Sequence, residues 1–113
     1  MITIYHNPRF GKSRECLAFL ENSKHKIQVI KYLDTKFNFD SLSKILKKLN
    51  YKPIDLVRKK EKVWIENFKS KTLSDTQIIE AMIEFPSLIE RPIVVVGKKA
   101  VVTRPLEKVN LIL

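Results

Sequence analysis

Apolar positions along the chain change their period twice. Near the N-terminus Ile2, Ile4 and Tyr5 form a short apolar run that Asn7-Pro8 stops, the pattern of a buried strand ended by a turn. From Lys12 onward Cys16, Leu17, Phe19 and Leu20 fall at helical spacing, and Asn22-Ser23 close that segment. Ile27, Val29, Ile30, Tyr32 and Leu33 then give a second strand. Strand, helix and strand in direct succession predict a βαβ unit, whose crossover is right-handed in nearly all known cases.

The middle of the chain is helical. Asp40 is placed to cap a helix with Leu42, Ile45, Leu46 and Leu49 on one stripe and Lys44, Lys47 and Lys48 opposite. Pro53 suits the first turn of a short helix, with Leu56 and Val57 inside and Arg58 near its end. Trp64 and Phe68 follow as plugs for the joint between helices. Ser74-Asp75-Thr76-Gln77 fits a capping box, opening a helix through Ile78, Ile79, Met82 and Ile83 that stops before Pro86. The β pattern returns at Ile93 to Val96 and at Ala100-Val101-Val102, and Gly97-Lys98 between them reads as the turn of an antiparallel hairpin. Pro105 opens a closing helix with Leu106, Val109 and Ile112 facing inward. The expectation is one α/β domain over residues 1–113, with a four-stranded mixed sheet. A helical insertion at about 35–89 separates its βαβ and ββα halves.

Composition narrows the classes. At 113 residues the chain has length for one core, and 44% hydrophobic with 30% charged residues describes an ordinary globular protein. The excess of 22 basic over 12 acidic side chains, a net charge of +10, favours anionic partners in general. The longest apolar run, Ile93-Val94-Val95-Val96, is too short to span a membrane, and no signal-peptide pattern opens the chain, so a cytoplasmic place is expected. A single cysteine excludes an internal disulfide and a CxxC redox pair. With only Gly11 and Gly97 there is no glycine-rich phosphate loop, and His6, His25 and Cys16 give no metal-ligand spacing. The lysine-rich helix at 40–49 reads as a solvated face, and no nucleic-acid partner is expected.

The stretch His6 to Arg14 is where chemistry is expected. A strand that feeds directly into a helix leaves unpaired N–H groups at the first helical turn, and these, with the positive end of the dipole, seat an anion. Arg9, Lys12 and Arg14 add cations at the same place. The bland alternative is a solvated basic loop.

Ile4-Tyr5-His6-Asn7-Pro8 followed by Gly11-Lys12-Ser13-Arg14 resembles the active-site loop of the glutaredoxin-linked arsenate reductases, the ArsC family. That loop runs His-Asn-Pro-x-Cys-x-x-Ser-Arg, so the resemblance puts Phe10 at the position of the family's nucleophilic cysteine. It implies a thioredoxin-like fold, with arsenate or a similar oxyanion as substrate, no bound cofactor, and glutathione with glutaredoxin as reductant and partner. It assigns catalytic positions to His6, Phe10 and Ser13. Oxyanion binding falls to Arg14, to Arg58 in Leu56-Val57-Arg58-Lys59, to Arg91 in Glu90-Arg91-Pro92-Ile93-Val94, and to Arg104 in Thr103-Arg104-Pro105. Arginine suits that task because its planar fork grips an oxyanion through paired, charge-assisted hydrogen bonds and keeps its charge. Asn7 is expected to order the loop backbone, Ser13 and Arg14 to face the anion, and Pro92 to follow a cis bond. Family chemistry would need a thiolate of lowered pKa at the helix N-terminus, which a phenyl ring cannot supply. Cys16, two helical turns further on and in line with Leu20, reads as a buried core thiol. A second reading is a non-catalytic oxyanion- or protein-binding member of the same fold. It resembles the Spx regulators, which act on RNA polymerase but carry CxxC where this chain has Phe10 and Ser13.

Overall fold

The computed structural model describes residues 1–113 and divides them into two compact units. The first comprises Met1–Thr35 with Arg91–Leu113, and the second is Lys36–Glu90.

The first unit holds the sheet. Its elements are β1 (Ile2–His6), α1 (Gly11–Glu21), β2 (Ile27–Lys31), β3 (Ile93–Val96), β4 (Lys99–Val102) and a closing 3-10 helix (Leu106–Leu111). Strand order is β2-β1-β3-β4. β1 runs parallel to β2 and antiparallel to β3, and β3 pairs antiparallel with β4. Together with the helices this is the mixed α/β sheet of a thioredoxin-like fold. Gly97, at φ +59°, makes the β3–β4 turn in the left-handed region that glycine enters without strain.

Two periodicities meet in the core. Every second residue of β1, namely Ile2, Ile4 and His6, is buried, and α1 buries Ser13, Cys16 and Leu20 along one stripe. Ile2, Ile4, Cys16, Leu20, Val94 and Val109 form one hydrophobic cluster, with Leu106 and Ile112 packed at its edge. The strand's last inward position is therefore a histidine, and the helix's first inward position is a serine. Tyr32 is buried, but it lies just past β2, which ends at Lys31 rather than continuing to Leu33. The closing segment keeps its expected inward residues but winds as a 3-10 helix.

The second unit is helical: α2 (Phe39–Leu49), α3 (Lys62–Asn67), α4 (Asp75–Glu84), and 3-10 turns at Pro53–Leu56 and Pro86–Leu88. Asn38, not Asp40, caps α2. The Asn38 side chain accepts from the Ser41 N–H at 2.8 Å, and the Ser41 hydroxyl accepts from the Asn38 N–H at 3.0 Å. Asp40 instead occupies the first turn, where its charge suits the helix dipole. The α4 box forms as the sequence predicts, with Ser74 Oγ accepting from the Gln77 N–H at 3.2 Å and Gln77 Oε1 accepting from the Ser74 N–H at 2.9 Å. Trp64 stacks on Phe68 at 5.5 Å between centroids, and Phe68 meets Phe85 edge-on at 5.9 Å. Pro53 starts only a single 3-10 turn, and Arg58 lies beyond it. No helix is long and apolar enough to cross a membrane.

Candidate functional site

The loop between β1 and α1 is held by its own backbone. Phe10 N–H donates to the Asn7 carbonyl at 3.1 Å, and Arg9 N–H donates to Asn7 Oδ1 at 3.1 Å. This is the local turn that a buried asparagine stabilises. Arg14 N–H reaches back to the Phe10 carbonyl at 3.1 Å, and Arg14 Nη1 donates to the Pro8 carbonyl at 2.9 Å. Arg14 thus lends at least one of its donors to the turn rather than giving all of them to an anion.

Ser13 departs further from expectation. It is fully buried, and its hydroxyl lies 2.7 Å from His6 Nδ1 while accepting from the Asn7 N–H at 3.0 Å. It faces the loop's interior instead of an anion, because its position on the α1 stripe is the one that meets β1. Burial, then the positive charges of Lys31 and Arg14, hold His6 below its ordinary pKa; Glu21 and the backbone of Ser13 act in the other direction. In the neutral ring with its proton on Nε2, Nδ1 accepts from the Ser13 hydroxyl. That assignment uses every proton of the chain from Asn7 N–H through Ser13 to His6.

Phe10 precedes α1 in extended conformation and provides no side-chain cap, and no acidic residue lies in the helix's first turn. The positive end of α1 thus carries no carboxylate at its start. Arg91 is buried, and its guanidinium carbon lies 3.1 Å from the centroid of the Phe10 ring. This cation–π stack joins the loop to the segment just before β3. The Arg91–Pro92 bond is cis, and so is Arg104–Pro105, which sequence reading did not anticipate.

The other arginines are placed differently. Arg104 is exposed and lines a cleft that Lys12 also lines. Arg58 belongs to the helical unit. There its backbone N–H donates to Leu88 O at 2.7 Å, and its guanidinium pairs with Glu61 and, at 3.7 Å, with Glu90. Cys16 is fully buried and accepts a hydrogen bond from Thr103 Oγ1 at 3.3 Å. Burial pushes its thiol pKa up, and the Thr103 hydrogen bond offsets part of that rise. No group of three or more His, Cys, Asp or Glu side chains is arranged to hold a metal ion.

Sequence reading missed two contributors. Lys31 acts on His6 because β1 and β2 are in parallel register, which sets His6 beside Lys31; equal counting along the two predicted strands would have found it. Thr103 precedes Arg104 within a motif already singled out, yet nothing in the sequence announced its bond to Cys16.

Comparison with known proteins gives a consistent picture. Residues 5–112 match the profile of the ArsC family. The chain is 41% identical over 110 residues to the uncharacterized protein YfgD of Escherichia coli K12, covering 96% of this chain and 92% of that one. It is 39% identical over 110 residues to an arsenate reductase of Haemophilus influenzae, covering 96% and 95% of the two chains. The solved structure of an arsenate reductase from Vibrio cholerae superposes with a TM-score of 0.93 at 44% identity, covering 99% of this chain and 97% of that one.

Proposed function

Because the chain belongs to the ArsC family, we propose that it holds a tetrahedral oxyanion of the arsenate type beside the residue 7–14 loop and does not itself reduce it. In this reading Arg91 and Arg104, with Arg14, supply the charge that recognises the oxyanion. His6, Ser13 and Asn7 set the loop's shape. Phe10 stands where the family's cysteine is expected.

Reduction by the family route would require a thiolate to form an arsenic–sulfur bond, glutathione to resolve that adduct, and glutaredoxin to recycle the product. A phenyl ring has no electron pair to offer for the first step. Cys16 is no substitute, since it is enclosed in the core with a raised pKa. The observation that carries this reading is the Phe10–Arg91 stack. The cation expected to face a thiolate–arsenate adduct faces a ring instead, while the cationic surroundings remain.

The test is a calorimetric titration of the protein with arsenate and with sulfate at low and high salt. Saturable binding that weakens as salt rises is expected, because screening reduces attraction between partly exposed charges. Arg91→Leu and Arg104→Leu should each weaken it. Absence of binding at low salt, or binding indifferent to both substitutions, overturns the reading.

A further inference from the structure

The helical unit carries an open groove of about 560 Å³ between the second half of α2 and the start of α4. Leu46 of α2, Pro53, and Ile79 of α4, all buried, form its floor, and half-buried Tyr51 stands beside them. Lys47 and Lys52 line it on the α2 side and Asp75 on the α4 side, and all three are exposed.

Local hydrogen bonds fix the α2 wall. Asn50, in the left-handed region at φ +59°, ends the helix. Its N–H donates to Lys47 O at 3.1 Å, and Tyr51 N–H donates to Leu46 O at 3.0 Å, so two carbonyls at the helix's negative end are occupied. Asp55 accepts from the Lys52 N–H at 3.0 Å, which holds the segment that carries Lys52.

The charges bordering this groove stand apart. The lysines that form ion pairs in this chain are Lys12, with Glu15, and Lys62, with Glu66. Lys47 and Lys52 have no carboxylate partner, and Asp75 has no cationic one. Asp75 also lies in the first turn of α4, where the positive end of the dipole offsets part of its charge. The groove therefore presents an apolar floor with two unpaired ammonium groups along one border, and its volume falls in the range of small-molecule sites. An inorganic anion gains little there, because exposed lysines alone hold it weakly and it has nothing to lay on the floor. A neutral apolar molecule covers the floor and leaves the lysines unanswered. A molecule with both an apolar body and a carboxylate uses both features, and Asp75 turns the carboxylate toward the lysines by repulsion.

We infer that this groove binds a small organic carboxylate, with its apolar body on Leu46, Pro53 and Ile79 and its charge toward Lys47 and Lys52. The inference rests on residues of the helical unit alone and is independent of the oxyanion reading.

The probe is 2-naphthoate, titrated into the full chain and followed by amide chemical shifts. The neutral 2-naphthalenemethanol and inorganic sulfate serve as controls. Saturable shifts confined to residues 43–53 and 75–79 and their neighbours are expected, with the alcohol binding about three- to tenfold more weakly, the scale of exposed ion pairs. Lys47→Gln and Lys52→Gln, both at exposed positions, should each weaken 2-naphthoate by about two- to fivefold. Together they should bring it to the level of the alcohol. Asp75→Asn should leave binding equal or tighter. No saturable shift, shifts elsewhere, or equal binding of the acid and the alcohol overturns the inference. So does a double variant that binds 2-naphthoate as the unmodified chain does. Sulfate that produces the same shifts at the same concentrations overturns it as well, by showing an adventitious ion only.

Discussion

Ser13→Ala should be among the most damaging single-atom deletions near the loop. Ser13 Oγ is fully buried and serves two partners, His6 Nδ1 at 2.7 Å and the Asn7 N–H at 3.0 Å. Removing it takes from the Asn7 amide the acceptor it uses here, which costs about 1–3 kcal/mol for a buried donor, and removes one further hydrogen bond worth about 1 kcal/mol. The sum, about 2–4 kcal/mol, is a large share of the 5–15 kcal/mol that holds a typical domain folded. For a chain of this size it should lower the melting temperature by about 10 °C. Urea denaturation followed by circular dichroism gives the free energy, and a double-mutant cycle with His6→Leu isolates the pair. The two losses should not add, with a coupling of about 0.5–2 kcal/mol, because each substitution removes the same hydrogen bond. A loss under about 0.5 kcal/mol for Ser13→Ala, or strict additivity, would refute the buried network as the element that fixes the loop.

The lowered pKa of His6 makes stability depend on pH with a defined sign. The folded state favours the neutral ring, so this contribution is fully present above the unfolded pKa of about 6.5 and is lost as pH falls from there through the lower folded value. Urea midpoints should therefore fall between about pH 6.5 and 5, above the range where carboxylates titrate, and His6→Leu should remove that fall. Cys16 in the native protein should react with iodoacetamide at least about a hundredfold more slowly than in the unfolded chain, since the buried thiol must be exposed first; fast native labelling contradicts its burial. Asn38→Ala should cost about 1 kcal/mol and Asp40→Ala only a few tenths, because the first removes the cap and the second only a dipole contact. Equal losses would return the cap to Asp40.

The fold was legible because its signals are local and agree with one another. Four short apolar runs, a helical stripe after the first, and capping chemistry before α4 each name one element, and the order of elements leaves few topologies. Boundaries were less legible. Asn38 and Asp40 are both good caps, and the choice fell to the one whose register with Ser41 closes a reciprocal pair of hydrogen bonds. Side-chain direction near the loop was the hardest part. A serine and an arginine beside a helix N-terminus look alike as anion ligands, but the stripe through Cys16 and Leu20 turns Ser13 inward, and the turn at Pro8 takes a donor from Arg14. The stack of Arg91 on Phe10 joins residues far apart in the chain, and no local pattern encodes it. Resemblance to the ArsC family drew attention to both residues and set Arg91 near position 10, but as an oxyanion ligand rather than as the partner of a ring.

The most direct test of the central claim is arsenate reduction by the unmodified chain and by Phe10→Cys, assayed side by side with glutathione and glutaredoxin. Arsenate-dependent consumption of reduced glutathione is the readout. The unmodified chain should stay at the blank rate, and Phe10→Cys, with a thiol at the start of α1 beside Arg91, should exceed it. A Phe10→Cys protein that folds, binds arsenate and remains inert would contradict the claim that the loop lacks only its nucleophile. So would reduction by the unmodified chain that Cys16→Ser abolishes.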